Sequence, residues 1–576
     1  MFKNQPAGLY VLALANTGER FGYYTMLAIF LLFLQAKFGF DASVSGQIYA
    51  GFLAMVYFMP LIGGWVADRW SFNKCVVTGI VVMFIGYAIM SMQTPIHSNF
   101  SLGILIVALL LIAVGTGLFK GNLQVMVGDL YNEPKYSNQR DSAFSLFYMA
   151  INIGSMFAPM TATGMLNWHM KTEGLKYVDG LPAACNALIN ANADGKVNEL
   201  AGLQSQVTEI ASQGGLDVSG NVLDWANAYI TALSNGYSWG FAIACASLIV
   251  SYLIYALGKR TYRHIITNKK DDGAKATVET GPELTPAQTK ARVVALLLVF
   301  AVVIFFWMVF HQNGATLTEF AKTCTSSETG SWTRIGFNVG ALAIIAVGVY
   351  ALFSLFQSKK TTGRIISGLI LAGCVVAIIF IYRGSENPLT GIQPQQYQQF
   401  NPFYVVALTP VSLAIFGWLA NRKKEPSAPR KIGYGMVMAA AAYALMCIGS
   451  ASIAGRSGAV SPNWLISTYL VLTFAELLLS PMGISFVSKV APPKLKGSMM
   501  GGWFAATAVG NYLVSIPMLL WDTKLPLWGL WGILIIICLV SAIFIFSIMK
   551  KLEAATSENP SEDPVATEMA NASETE

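Results

Sequence analysis

Residues 16–24 put an amide, an acid, a base and two phenols inside an apolar run. Asn16, Glu19, Arg20, Tyr23 and Tyr24 stand at i, i+3, i+4, i+7 and i+8 within the stretch Leu9–Leu34. A helix gathers all five on one face. A guanidinium there can hold a substrate carboxylate, and a neighbouring acid can exchange a proton. Neither group belongs against lipid, because a charge at the centre of a spanning helix costs about 2.5–3.5 kcal/mol on insertion scales. The face must therefore look onto protein or water, which implies a polar cleft inside a helical bundle.

Other polar residues are stranded the same way. Lys120 lies in Gly115-Thr116-Gly117-Leu118-Phe119-Lys120-Gly121-Asn122, and Asn152 follows Phe147-Tyr148-Met149. His311-Gln312-Asn313 ends an apolar run, with Glu319 two turns on, and Asn401 opens another. Glu476 sits between Ala475 and Leu477, with Ser480 one turn later. Keeping Glu19, Arg20, Lys120, His311 and Glu476 at depth carries an insertion cost on the order of 10 kcal/mol. Buried pairs replaced by hydrophobes are often no less stable, so the set reads as functional. The competing reading makes Glu19–Arg20 and Lys120–Glu476 structural pairs. Arg20 and Lys120 come from the first half of the chain and Glu476 from the second. A cleft between the halves would hold a zwitterion, with its carboxylate toward the cations and its ammonium toward Glu476. The ends of an extended dipeptide lie about 7 Å apart. Tyr23, Tyr57, Trp307 and Trp503 are candidates to line permissive side-chain pockets.

The elements that position these residues are membrane spans. The 576 residues are 55% hydrophobic and 12% charged, against about 25% charged in soluble proteins. Apolar runs of 18 or more residues recur, the pattern of an all-α polytopic membrane protein. Spans are expected at roughly 7–35, 43–67, 75–93, 101–131, 141–164, 237–258, 291–321, 335–357, 363–382, 402–420, 431–451, 464–488, 497–521 and 526–549, about fourteen in all. The first reads as a true span rather than a cleaved signal. The net charge of +7 does not point to nucleic acid, because Lys and Arg cluster in alternate short loops. That pattern places those loops and both termini on the cytoplasmic side of an inner cell membrane. There is no HExxH, no GxGD in a span and no nucleophile–base pattern, so neither an enzyme nor a metal or cofactor site is expected. Of seven cysteines only Cys185 and Cys324 fall in external loops, where a disulfide between them is one reading.

The expected organisation is a first six-helix bundle from residues 1–166 and 237–258 and a second from 291–321 and 402–549. Segment 167–236 is an external helical insertion, with helical periodicity around Val197–Ile210 and Val222–Leu233. Segment 259–290 is an internal linker, 335–382 two extra spans, and 550–576 a disordered tail rich in Ser, Glu and Thr.

Motifs along nearly the whole chain resemble the proton-coupled oligopeptide transporters, a branch of the major facilitator superfamily. Glu19-Arg20-Phe21-Gly22-Tyr23-Tyr24 is similar to most of the ExxERFxYY signature. Gly64-Trp65-Val66-Ala67-Asp68-Arg69, with Lys74 beyond, resembles the superfamily GxxxDRxxxxK/R loop. Leu118-Phe119-Lys120-Gly121-Asn122 through Gly128-Asp129-Leu130-Tyr131 resembles LxKxN…GDLY, and Phe147 to Gly154 resembles FYMxINIG. Glu476-Leu477, Ser480-Pro481-Met482-Gly483 and Gly497 to Phe504 resemble ELxxSPxG…GxMMGxWF. The resemblance implies two six-helix bundles rocking about a midplane site and proton-driven uptake of di- and tripeptides. It places Arg20 and Lys120 at the peptide carboxylate, and Asn152, Asn401 and Glu476 at the backbone and amino terminus. Ser480, Trp503, Tyr23 and Tyr24 fall at other cavity positions. Two positions depart from the pattern. Asn16 stands where the family has its first Glu, and Phe310-His311-Gln312 stands for FEQ. Both missing carboxylates are linked to proton coupling, which leaves Glu19, His311 and Glu476 as candidates to carry the proton. The extra spans also follow the seventh span instead of separating the halves. Two other readings stay open: a transporter of another small anion or zwitterion, and a peptide sensor that moves nothing. A monomer in the lipid bilayer is expected.

Overall fold

The computed structural model describes residues 5–131, 135–136, 140–266, 284–358, 360–453, 456, 458–492 and 495–555. The expected disordered tail 550–576 begins too early: residues 550–554 belong to the short helix Met549–Ala554, where Glu553 pairs with Arg430. Residues from 556 on and most of the 259–290 linker lie outside the described residues. Described residues form helices and turns, with only two isolated β-bridges. The helices are α1 Ala7–Phe38, α2 Ala42–Arg69, α3 Phe72–Met90, α4 Asn99–Asp129, α5 Arg140–Thr172, α6 Leu181–Ala193, α7 Val197–Gln213 and α8 Val222–Leu257. After the linker come α9 Pro286–Phe310, α10 Thr316–Thr323, α11 Val339–Gln357, α12 Thr361–Gly384, α13 Phe400–Asn421, α14 Ala428–Ser450, α15 Asn463–Val490, α16 Lys496–Leu513, α17 Ser515–Trp521, α18 Leu527–Ser547 and α19 Met549–Ala554. Thirteen stretches are long and apolar enough to cross a membrane. The 33-residue α5 packs among them against α1 and α8.

α1, α2, α3, α4, α5 and α8 pack on one another as one bundle. The broken span α9–α10, with α13, α14, α15, α16–α17 and α18, forms a second. The bundles meet where α2 lies along α16 and α17, and where α5 lies along α13. α1 is buried over most of its length and stops at Gly39, whose φ of +64° suits a residue without a side chain. α9 starts at a capping box, Thr285 with Gln288, and Pro286 in the first turn.

Three elements differ from expectation. The periodic stretch Val222–Leu233 is no part of a separate hairpin; it is the start of α8, which runs unbroken for 36 residues. Ser234-Asn235-Gly236 reads as a boundary by composition. In the fold Ser234 is buried and Gly236 lets Leu166 of α5 approach closely, so small residues serve packing there. The insertion is instead α6 and α7, packed on each other and on α8, and α5 extends to Thr172. Second, the seventh span is broken by a 3-10 turn, His311–Gly314. The Gln312 side-chain amide donates to the Met308 carbonyl at 2.9 Å, and any side chain on Gly314 would collide with the Tyr49 hydroxyl. Third, the span 497–521 is split at Val514, three residues before Pro517, whose ring and missing N–H interrupt the helix.

The extra helices α11 and α12 pack on each other, and α11 lies on α13 and touches α5. Ser367 is the single described buried residue of α12; its hydroxyl donates to Ser354 at 2.8 Å. Between Arg364 and Arg383 the remaining surface of α12 is mostly apolar, as a lipid-facing helix requires. Cys185 and Cys324 are both buried free thiols, so the considered disulfide is absent.

Candidate functional site

The α1 face forms as the spacing requires. Asn16, Glu19, Arg20 and Tyr23 are all at most 3% exposed. The Arg20 guanidinium grips the neighbouring carboxylate with two charge-assisted bonds, Nε to Glu19 Oε2 at 2.5 Å and Nη2 to Oε1 at 2.6 Å. It also lies 4.8 Å from the Tyr23 ring centroid, and Tyr23 meets Tyr24 edge-on at 5.3 Å. The arginine is therefore neutralised from within its own helix.

Lys120 does not pair with Glu476. Among the described residues it has no ion pair; its ammonium sits 4.0 Å from the centroid of the Tyr57 ring, a cation–π contact. Tyr57 in turn lies 5.8 Å from the His311 ring. The imidazole stacks on Trp307 at 5.0 Å, and its Nδ1 is hydrogen-bonded to Asn511 Oδ1 at 2.6 Å. Lys120 and Tyr57 belong to the first bundle and His311 to the second, so this aromatic stack crosses the seam.

Glu476 crosses it in another way. The Tyr148 hydroxyl of α5 donates to Glu476 Oε1 at 2.9 Å, and Asn401 Nδ2 of α13 donates to Oε2 at 3.0 Å. Asn401 also donates to Thr473 Oγ1. Asn152, one turn after Tyr148, uses its amide on the Tyr148 carbonyl at 3.0 Å, which ties it to its own helix. Glu476 thus has two neutral donors and no cation among the described residues. Buried polar atoms without a protein partner include the Tyr23 hydroxyl, Trp307 Nε1, Ser480 Oγ and Asn511 Nδ2. Such atoms need a partner from water or ligand. Trp503 stands apart; it is buried and meets Phe300 edge-on at 6.4 Å.

The structure brings together two bundles carrying opposite charges that lack a counter-ion of their own, Lys120 and Glu476. Tyr148, Thr473 and Asn511 join the arrangement as partners that residue type alone did not single out. Tyr148 had a signal, one turn before Asn152 in the same motif. Asn511 had a weaker one, an amide inside the apolar run Ala508–Leu513.

The ends of the bundles beside the α6–α7 insertion are held together by polar bonds. Gln398 Nε2 donates to the Ala28 carbonyl and to Thr318 Oγ1, both at 3.1 Å. Gln393 Nε2 donates to Asn167 Oδ1 at 2.7 Å, and the Ser43 N–H donates to Asp522 Oδ2 at 2.8 Å. At the opposite ends, Arg430 pairs with Glu553 and Lys431 with Glu425, each within the second bundle.

Two bundles around a seam of unpaired opposite charges define a secondary transporter of the major facilitator type. The model of the POT family (PTR2) matches residues 73–278 and 383–523, and the chain belongs to that family. It is 26% identical over 525 residues to dipeptide and tripeptide permease A of Edwardsiella piscicida, covering 88% of this chain and 84% of the relative. It is 25% identical over 530 residues to dipeptide and tripeptide permease A of Escherichia coli (strain K12), covering 88% and 83%. Among solved structures, a peptide transporter POT in complex with sulfate superposes with a TM-score of 0.64 at 19% identity, covering 96% of both chains. A POT family transporter in complex with 5-aminolevulinic acid gives 0.62 at 20% identity, covering 97% of this chain and 98% of that one.

Proposed function

We propose that this protein imports di- and tripeptides by proton symport, with the two bundles alternating access to a site at their seam. The observation that carries the reading is the opposed pair of charges, half-buried Lys120 on the first bundle and buried Glu476 on the second, each without a counter-ion among the described residues. A peptide supplies both missing charges at once. Its carboxylate goes to Lys120 and, on displacing Glu19, to Arg20; its ammonium goes to Glu476. Asn152 and Asn401 take the peptide backbone, while Tyr23, Tyr24, Ser480 and Trp503 complete the walls. Membership of the POT family and likeness to dipeptide and tripeptide permeases support the substrate class.

The proton route is atypical. Asn16 cannot titrate, and at position 311 an imidazole replaces an acid. With Nδ1 held by Asn511, His311 keeps Nε2 to accept a proton. Glu19 and Glu476 are the other candidates. The chain works as a monomer in the inner cell membrane, with the insertion outside and both termini cytoplasmic, in line with the basic loops.

The test is labelled dipeptide uptake into proteoliposomes with an inward pH gradient. Uptake is expected to fall at least tenfold in Arg20→Ala, Lys120→Ala and Glu476→Gln; normal uptake in all three removes the site. Competition by a dipeptide panel separates this reading from transport of another small zwitterion, and the absence of any uptake leaves the sensor reading.

A further inference from the structure

The first bundle carries an apolar groove on the other side of α1 from Glu19 and Arg20. Its floor is Thr17, Gly18 and Phe21 of α1, and its walls include Ile153 of α5 and Ala246 and Val250 of α8. It encloses about 490 Å³. Ile153, Ala246 and Val250 are exposed, so the groove opens to whatever surrounds the bundle. Around spanning helices that medium is hydrocarbon.

The lining suits a hydrocarbon chain and offers little to water. Its two hydroxyls are already engaged. Thr17 Oγ1 lies 2.9 Å from the Ala13 carbonyl and 3.0 Å from the Ala150 carbonyl, and Ser247 Oγ donates to the Ala244 carbonyl at 2.8 Å. An ordered water needs two to four polar partners, and none remain on these side chains.

The groove also leads somewhere. Ala246, Val250, Leu253 and Leu257 stand at i, i+4, i+7 and i+11 on α8, and all four are exposed. Arg260, at i+14, comes at the foot of the same face, with Lys259 beside it; both are exposed. On α1, Phe21, Thr17, Leu14 and Tyr10 form a matching row, of which Leu14 and Tyr10 are exposed. The two rows end side by side, because a side chain on Gly258 would collide with Val11 and one on Gly8 would crowd the Thr261 carbonyl. Val250 and Arg260 are about 15 Å apart along the helix, half of a hydrocarbon core of roughly 30 Å. The cations therefore lie at headgroup depth when the groove lies near the midplane. Neither Lys259 nor Arg260 has an ion pair among the described residues. Neither the first turn of α1 nor residues 250–266 contains an acid.

We propose that this face is a binding site for one anionic phospholipid of the leaflet at the bundle end opposite the insertion. An acyl chain fills the groove over Gly18, the rest of the chain follows the Val250–Leu257 row, and the phosphate meets Arg260 and Lys259. Arginine suits that role because its fork pairs with two phosphate oxygens at once. The seated chain packs on the back of the α1 turn that carries Glu19 and Arg20.

The test is native mass spectrometry of the purified protein, mixed with equal amounts of phosphatidylglycerol and phosphatidylcholine bearing the same chains. The unaltered protein should retain one phosphatidylglycerol at least fivefold over phosphatidylcholine. Lys259→Gln with Arg260→Gln should bring the two lipids to parity. Ala246→Trp, which fills the groove from an exposed position, should lower retention of both at least fivefold. Equal retention of the two lipids by the unaltered protein overturns the proposal, as does a preference that survives the double variant or full retention in Ala246→Trp. A protein dimer that Ala246→Trp splits gives the groove to a second copy and also overturns it. The double variant alters only exposed side chains, so it decides the headgroup claim whatever the tryptophan does to folding. No reading involves peptide, so the outcome is independent of the transported substrate.

Discussion

Arg20 and Glu476 face different tasks, and their surroundings predict different mutant behaviour. Arg20 is neutralised by Glu19, so Glu19→Gln leaves a buried guanidinium uncompensated, a change of about 3–5 kcal/mol. It should lower the unfolding temperature of the purified protein markedly. Glu476→Gln keeps an acceptor for Tyr148 and much of the local bonding, so it should leave that temperature nearly unchanged while abolishing uptake. A large stability loss in the second variant would make Glu476 a structural group. His311→Ala should retain exchange of labelled for unlabelled peptide but lose accumulation against a gradient; undiminished accumulation removes His311 from the proton path. The helical spacing of Asn16 to Tyr24 was enough to place these side chains on a single buried face. That Lys120 would rest on Tyr57 instead of pairing with Glu476 was not readable, because the choice depends on how the two bundles are offset. The bond from the Gln35 amide to the Glu319 carboxylate was invisible for a similar reason: the two are 284 positions apart, and no local pattern links them.

At the scale of elements, the α6–α7 insertion acts as a cap on α1. Asn186→Ala removes three hydrogen bonds, those it donates to the Gln35 and Ala36 carbonyls of α1 and the one with His97, each worth about 1 kcal/mol net. Backbone amides of the α1 end and α6 should then exchange hydrogen several-fold faster, with α3 and α4 unaffected. Equal protection in the variant would mean that the insertion is held by apolar contacts alone. By contrast Ser367→Ala, which loses the tie between α11 and α12, should leave uptake unchanged. Hydropathy marked nearly every long helix, because a lipid-spanning segment must be apolar throughout. It failed where packing overrides composition. Gly236 lies inside α8 because it faces Leu166 of α5. The break after Phe310 depends on Gly314 meeting Tyr49, a contact between bundles that no window of sequence contains.

At the scale of the whole molecule, the insertion ends of the bundles are joined by Gln35, Gln393, Gln398 and Ser43 through bonds to the opposite side. The described ion pairs at the other ends stay within the second bundle. With the proposed orientation, insertion outside and basic loops cytoplasmic, this is the polarity of a carrier closed to the outside. The two-bundle plan was legible from the span count; the joined end was not, since its bonds link residues 226 to 479 positions apart. The central claim is that opposed charges on the two bundles hold a peptide whose movement is driven by protons. Uptake of a labelled dipeptide into proteoliposomes, with and without an inward pH gradient, tests it most directly. The account predicts accumulation above equilibrium only with the gradient, and its loss in Lys120→Ala and Glu476→Gln. Uptake indifferent to the gradient, or equal in all three proteins, would contradict it.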